Sequence, residues 1–466
     1  MEELASASKR IVERSVQRCI LRSCGGAYAL TDRVYVCPRC GSPLEIEIAP
    51  GPELKAAQLR ERWRLRAGSP DARDRSGVWR YRELLPFAPD AIVTLFEGNT
   101  PLYDAPRCAE YCGLETLRLK HQGCNPTGSF KDTGMTVAVT HALLLGAETA
   151  VCASTGNTAA SLAAYSARAQ LQCAILVPHG QVSAAKLAQS MDYGATICEI
   201  DGNFDDCMRL VQELGDDPSI YVANSINPFR IEGQKTVAFE LMEQCAWRVP
   251  EHVVMPGGNL GNSTAFGKGF NELRSLGLID RIPKLHVIQA ESSAPFARMF
   301  ANLRSKGTLS DEGLPETMTT ETRPRTLATA IKIGAPVSWK KSLRAIVQSG
   351  GEVIAVTEQE IADAKAMIGR EGIGCEPASA TTVAGIRKLV ANSQIGSDED
   401  VVAVLTGHVL KDPDYASRYH RGELSLPADS GGQAAEQKIH GSFQNRPERV
   451  AANKTAILDR LKHRKR

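Results

Sequence analysis

Nowhere in the 466 residues is there a run of the roughly twenty consecutive apolar residues that a helix needs to cross a bilayer. The start of the chain, with Glu2, Glu3, Lys9 and Arg10, also lacks the apolar stretch of a secretory signal. The reading is therefore no membrane association and a cytoplasmic location. A strong charge imbalance is missing as well. A formal net charge of +2 is too small to create the broad basic surface that holds nucleic acid nonspecifically, so the expected partner is a small molecule. No internal repeat divides the chain. What is there is ordinary for a globular protein: 43% apolar and 23% charged residues, enough for a sizeable core. The length exceeds what one core usually serves, so two or more lobes are expected.

Most of the thirteen cysteines stand singly in apolar segments, as Cys152, Cys173 and Cys245 do, where cysteine acts as a small hydrophobe. One cluster differs. Cys37-Pro38-Arg39-Cys40-Gly41 has the shape of a knuckle that turns two thiolates toward one ion, and Cys19 and Cys24 precede it. The four-residue gap between Cys19 and Cys24 is at the upper edge of zinc-ligand spacing, so a zinc ribbon and a metal-free remnant fit equally. Four thiolates would close the coordination shell, making any zinc structural rather than catalytic.

Residues 1–50 thus form a Cys-rich segment, and the charged stretch 51–90 reads as a helical arm and linker. Beyond it, β-branched runs at 116–120, 150–153, 174–177, 252–255, 285–288 and 401–405 alternate with Ala-rich helical stretches such as 161–169. This rhythm predicts an α/β fold with parallel sheets covered by helices, over 91–415, with a smaller lobe at about 125–240. After it, 416–466 reads as a polar tail ending in a short basic helix.

Ligands of open parallel sheets bind beyond the carboxyl ends of the strands. There the sequence places Ser154-Thr155-Gly156-Asn157-Thr158 and Pro256-Gly257-Gly258-Asn259-Leu260-Gly261-Asn262, each leading into a helix. Such loops present backbone N–H groups and the positive end of a helix dipole to an anion. The second loop lacks the Walker lysine-serine ending and the Gly-x-Gly-x-x-Gly spacing, which leaves nucleotides with little support. A lysine, Lys131, lies in the turn-rich stretch Asn125 to Asp132, ahead of a helix expected near Thr133. By itself that is an ordinary surface position.

Five ordered blocks change its meaning: Glu97-Gly98-Asn99-Thr100-Pro101-Leu102, Gly128-Ser129-Phe130-Lys131-Asp132, Ser154 to Thr158, Asn227-Pro228-Phe229-Arg230-Ile231-Glu232-Gly233-Gln234-Lys235-Thr236, and Thr406-Gly407-His408. From about Cys19 to Asp412 the chain resembles the threonine synthases, fold-type II enzymes that use pyridoxal 5'-phosphate. The resemblance implies a two-lobed, tryptophan synthase β-like fold in which Lys131 holds the cofactor as a Schiff base. The loop Gly258, Asn259, Leu260, Gly261 and Asn262 would take its phosphate, and Asn157 its ring hydroxyl. Thr406 would meet the pyridine nitrogen, where a neutral hydroxyl favours the unprotonated ring. Ser154, Thr155 and Thr158 would face the substrate carboxylate, and Asn224, Ser225 and Arg230 a phosphate on the substrate's side chain. A planar guanidinium suits that task because it makes paired, charge-assisted bonds to phosphate oxygens.

The implied reaction turns O-phospho-L-homoserine and water into L-threonine and phosphate, with Lys131 as base and the departing phosphate near Arg230 helping to activate water. β-Replacement on O-phosphoserine, giving cysteate or cysteine, is the nearest alternative. A noncatalytic, cofactor-binding regulatory paralogue is the alternative from another class. Many fold-type II enzymes are dimers, so a homodimer is compatible with the resemblance. Where the family often has glycine after Thr406-Gly407-His408, this chain has Val409, which should be tolerated.

Overall fold

All six apolar runs fold as strands, because a strand covered on both faces gains from an apolar residue at every position. In the segment 401–405 the alternation is visible: Val401, Ala403 and Leu405 enter one core, Val402 and Val404 the opposite one. The computed structural model describes residues 15–48, 55–87, 89–180, 184–311, 313–428 and 435–463.

The chain begins with a three-stranded antiparallel sheet, β1 (Ser15–Cys19), β2 (Ala27–Ala29) and β3 (Leu44–Ile48), with β1 in the middle. The helix α1 (Ala56–Arg66) follows, packing Leu59 and Trp63 against the main core. Two strands, β4 (Leu102–Asp104) and β5 (Leu117–His121), then open the larger sheet.

From β5 the chain leaves to build a second sheet. It passes through α2 (Lys131–Leu144), β6 (Thr149–Ala153), α3 (Asn157–Ala169), β7 (Gln172–Pro178), β8 (Thr196–Ile200) and β9 (Ile220–Val222). These four strands are all parallel, in the order β8-β7-β6-β9. The chain returns through α4 (Pro228–Gln234) to β10 (His252–Pro256), α5 (Gly261–Ser275), β11 (Lys284–Ala290), β12 (Val353–Val356), α6 (Pro377–Ala391) and β13 (Val401–Leu405). The larger sheet is ordered β12-β11-β10-β13-β5-β4, parallel except for the edge strand β4. Helices cover both of its faces, and no helix among the described residues is long and apolar enough to cross a membrane.

Residues beyond Asp412 do more than their polarity suggests. In α7 (Pro413–Arg421), Tyr415 and Tyr419 are buried, and Leu424 and Ile439 join them against Ala362 and Ala366. The strands β14 (Ser425–Leu426) and β15 (Gln437–Lys438) pair as a short ribbon. Apolar residues spaced too widely to stand out in the sequence converge here into one small core. Only α8 (Lys454–His463) matches the basic, largely exposed helix expected at the end.

The helices α2 and α4 cross at a pair of glycines. A Cβ on Gly134 would lie 2.7 Å from the Arg230 carbonyl oxygen, and one on Gly233 would run into the Thr133 carbonyl. Because α2 opens with Lys131 and α4 carries Arg230, this crossing sets the spacing of two cations. Gly233→Ala should therefore destabilise the protein by roughly 1–3 kcal/mol, since an added methyl here meets backbone that cannot rotate away. Urea denaturation checks this, and an unshifted midpoint would contradict the crossing.

Candidate active site

The site assembles where both sheets point their carboxyl ends. Neighbouring strands β6 and β9 deliver the loops after Ala153 and Val222, while neighbouring strands β10 and β13 deliver those after Pro256 and Leu405. Segments far apart in sequence are therefore adjacent in space. The loop after β13 is tied by backbone to the turn that leads into α2: Phe130 N–H donates to Thr406 O and His408 N–H to Gly128 O, both at 2.9 Å.

Lys131 is the first residue of α2, two positions earlier than the sequence suggested, because Gly128 at φ 84° turns the chain sharply into the helix. Part of the residue faces the cleft, yet its ammonium sits among protein atoms, 3.8 Å from the centre of the Phe130 ring. Burial, with help from the positive charge of Arg230, pulls its pKa down from 10.5 to about 7. Next to it, the buried Asp132 accepts hydrogen bonds from Thr127 N–H at 2.7 Å and from the Thr127 and Ser161 hydroxyls at 2.6 Å. That knot fixes the turn from which Lys131 projects.

Asn157 and Thr406 converge on one carboxyl group. Asn157 Nδ2 donates to Glu376 Oε2 at 2.9 Å, and Thr406 Oγ1 donates to Glu376 Oε1 at 3.1 Å. Glu376 is buried at the start of α6, and burial raises its pKa. Across the cleft, α5 begins at Gly261, where the first-turn N–H groups have no acceptor within the helix. The loop before it is held open by Leu260 in the left-handed region at φ 64° and by Asn259, whose carbonyl accepts from Ser338 N–H at 3.1 Å. Gly258 packs so closely on Ala330 and Ile331 that a Cβ would meet them at 3.2–3.4 Å. Asn262 Oδ1 and Gln122 Nε2 are buried without partners among the described residues, although Asn262 Nδ2 reaches Gln122 Oε1 at 3.2 Å.

Arg230 is 2% exposed and donates through Nη1 to Ala223 O at 3.0 Å, while its Nε has no partner among the described residues. No ion pair engages it among the described residues, and burial lowers its pKa to about 10. The other residues expected near a substrate have mixed surroundings. Asn224 spends its amide on the backbone of Ala153, accepting at 3.1 Å and donating at 3.0 Å, so it staples the end of β9 to β6. Ser225 accepts from Asn259 Nδ2 at 3.3 Å, linking the two loops. The Ser154 hydroxyl caps Gly156 N–H at 3.3 Å; Thr155 is half-buried and Thr158 buried.

The Glu97–Leu102 block lies beneath the site as scaffold. Glu97 is buried among the Ser76, Thr94 and Tyr165 hydroxyls, and Gly98 N–H donates to Asn125 Oδ1 at 2.8 Å. Behind it Glu240 accepts from Asn99 N–H at 2.6 Å and Thr100 N–H at 2.9 Å, and pairs with the buried Lys120.

A family model for pyridoxal-phosphate dependent enzymes matches residues 93–407. The threonine synthase of Methanocaldococcus jannaschii is 46% identical over 416 residues, covering 89% of this chain and 97% of that one. This chain belongs to the threonine synthases. The enzymes of that name from Methanosarcina acetivorans and Mycobacterium leprae are 46% and 44% identical over 85% and 75% of this chain, and 92% of each of theirs. Two solved structures share the fold at 18% identity and a TM-score of 0.55: a threonine deaminase isoform from Solanum lycopersicum, covering 66% of this chain and 79% of that one, and a fungal L-serine ammonia-lyase from Rhizomucor miehei, covering 71% and 100%. The expected fold-type II architecture holds.

The site fits the cofactor of the threonine synthases. It offers a helix N-terminus for a phosphate, unpartnered polar atoms at Asn262 and Gln122, and two donors, on Asn157 and Thr406, aimed at a shared acceptor. Sequence reading overlooked Glu376 and its neighbour Ser379. Their signal was Cys375-Glu376-Pro377 ahead of a run of small residues, a helix start with proline in its first turn. Lys411 was overlooked too, although its side chain lies against Gly128 and donates to Gln189 Oε1 at 2.5 Å. Val409 is accommodated because Gly374 opposite it has no Cβ; one there would lie 2.8 Å away.

The four cysteines also meet, as the knuckle suggested. Cys19 and Cys40 sulfurs are 3.5 Å apart, Cys24 and Cys37 sulfurs 3.6 Å, and all four lie within 4.8 Å of one another. The wide gap between Cys19 and Cys24 is taken up by a 3-10 turn at Arg22–Cys24 and by Gly25 at φ 65°, with Cys19 N–H bonded to Gly26 O at 2.9 Å.

A depressed lysine pKa has a kinetic signature. Only the neutral amine attacks an aldehyde, so capture of pyridoxal phosphate by the apoprotein should accelerate as pH rises through about 7 and then level off. A rate that keeps climbing toward pH 10.5 would mean an unperturbed lysine. Lys131→Ala should show no Schiff-base absorbance at any pH.

Proposed function

We propose that this chain converts O-phospho-L-homoserine and water to L-threonine and phosphate. The observation that carries the substrate is Arg230, a buried guanidinium with no ion-pair partner among the described residues. Burying a charge without a counter-charge is costly, and such a group is kept where a ligand supplies the anion. We assign the cofactor phosphate to Gly258 through Asn262, the ring hydroxyl to Asn157, the ring nitrogen to Thr406, and the substrate carboxylate to Ser154, Thr155 and Thr158. Ser225 and Arg230 are assigned to the substrate phosphate, with Asn224 shaping the loop beside them.

Pyridoxal phosphate, when bound, supplies an aldehyde to Lys131 and an electron-withdrawing ring to the substrate's α-carbon. Lys131, released by the incoming amine, is a base near neutral pH, suited to take the α-hydrogen and to return protons to the carbon chain. One hydrogen also leaves Cβ as a proton, its electron pair breaking the Cγ–O bond, and Arg230 grips the ester through that break and retains the freed phosphate. A phosphate oxygen can then accept a proton from the water that adds at Cβ, while Cγ gains a proton and becomes the methyl group.

Arg230→Ala should lower kcat/KM for O-phosphohomoserine about 30- to 1,000-fold, corresponding to roughly 2–4 kcal/mol of charge-assisted bonding. The assay measures phosphate and threonine together. Products from O-phosphoserine with sulfite or sulfide, and none from O-phosphohomoserine, would replace this reading with the β-replacement one. No turnover of either would favour a regulatory paralogue.

We also propose one structural zinc ion on Cys19, Cys24, Cys37 and Cys40. Zinc–thiolate bonds of about 2.3 Å in a tetrahedron separate the sulfurs by about 3.8 Å, close to the spacings here. Metal analysis should find one zinc per chain, and Cys37→Ser should lose it along with thermal stability. A metal-free, equally stable wild type refutes this.

A further inference from the structure

A hydroxyl group has one proton to give and two lone pairs to receive. For Ser379, on the first turn of α6, both lone pairs are taken: Oγ accepts from Thr406 N–H at 2.8 Å and from Gly407 N–H at 3.1 Å. Its third contact is Thr406 Oγ1 at 3.1 Å. With no lone pair left, Ser379 can only donate there. Thr406 Oγ1 must then receive from Ser379 and send its own proton outward, which in this structure goes to Glu376 Oε1 at 3.1 Å. The opposite arrangement would place three donors on the Ser379 oxygen in addition to its own proton. All of these groups are buried, so water cannot relieve the conflict.

We infer that Ser379 is a positioning residue that locks the Thr406 hydroxyl as a hydrogen-bond donor and thereby keeps the cofactor's pyridine nitrogen unprotonated. The inference rests on the assignment of Thr406 to that nitrogen. A nitrogen that accepts from a locked donor has no free lone pair for a proton, so the direction of one buried hydroxyl sets the electronic character of the ring. The titratable groups around Thr406 are Glu376, which touches it, with Lys131 and Asp412 near Glu376, and Lys411 and Asp132 beyond. Glu376 is the one carboxyl in contact with Thr406 among the described residues, and it is engaged from its other oxygen by Asn157.

The test loads the full chain with pyridoxal phosphate carrying nitrogen-15 in the ring and follows that resonance as pH is lowered, alongside thermal stability and the cofactor affinity of each apoprotein. Wild type and Ser379→Thr, which keeps the hydroxyl, should hold the unprotonated shift at every pH at which they are folded. Ser379→Ala frees Thr406 to rotate, so its resonance should move toward that of a protonated pyridine in acid, with cofactor affinity about tenfold weaker. A purely structural serine predicts something else: lowered stability in Ser379→Ala with the nitrogen shift of wild type. That result would overturn the inference. If Ser379→Ala does not fold, Ser379→Cys, whose thiol is a weak donor and acceptor, gives the same comparison. Thr406→Val separates the two readings: an unchanged resonance and affinity there would remove Thr406 from the ring nitrogen altogether, whereas a change there with none in Ser379→Ala would reject only the lock.

Discussion

Two helices that touch backbone to backbone set the dimensions of this site. Gly134 in α2 and Gly233 in α4 leave no room for a side chain between them, and the closeness places the helix that opens with Lys131 directly against the helix that carries Arg230. Two cations that repel are thereby held in one cleft. Burial, and to a smaller extent the repulsion, act together on Lys131, whose amine titrates near pH 7 and so is partly neutral there, available both to capture an aldehyde and to move protons. A looser crossing would let the charges separate and remove the smaller of these two influences, leaving burial to hold the lysine's basicity down.

The rigidity that this needs is supplied from below. Lys120, Glu240 and the backbone of Asn99 and Thr100 form a buried polar knot, and Glu97 forms another with Ser76, Thr94 and Tyr165. In the first, a buried charge is paired, so removing one partner would leave the other stranded at a cost of about 3–5 kcal/mol; in the second, a buried carboxyl sits among hydroxyl donors. These knots anchor Gly98 to Asn125 and hence the turn that presents Lys131. The Glu97–Leu102 block, which resembles a functional motif in sequence, serves the site through this support rather than by contact with it.

Opposite the two cations, the site gathers donors. Asn157, Thr406 and the start of α5 all point N–H or O–H groups into the cleft, and the carboxyl of Glu376 answers two of them. The geometry depends on strand neighbours: β10 beside β13 and β6 beside β9 bring four loops to one place. Ser379 adds a finer control, since the proton it gives to Thr406 follows from two backbone N–H groups that it must satisfy first.

Much of this was legible before any coordinates. Apolar runs marked the strands because burial on both faces demands them, and the ordered blocks around Lys131, Asn157, Arg230 and Thr406 identified the family because short motifs in fixed order rarely recur by chance. Nine strands went unread, those of the N-terminal sheet and the β14–β15 ribbon as well as β4, β8, β9 and β12: none is longer than five residues, and the last four all lie at sheet edges. The packing of residues 413–428 and 435–443 was equally invisible, since its apolar residues form a core only when the chain folds back. The sequence by itself determined which residue types stand at the ends of the strands, and so the cofactor and reaction class. Only the tertiary structure decided what each side chain spends its hydrogen bonds on. It tied Asn224 to Ala153, left Arg230 without a counter-ion, and turned Ser379 toward Thr406, because partners more than a few residues apart are chosen by packing and not by spacing along the chain.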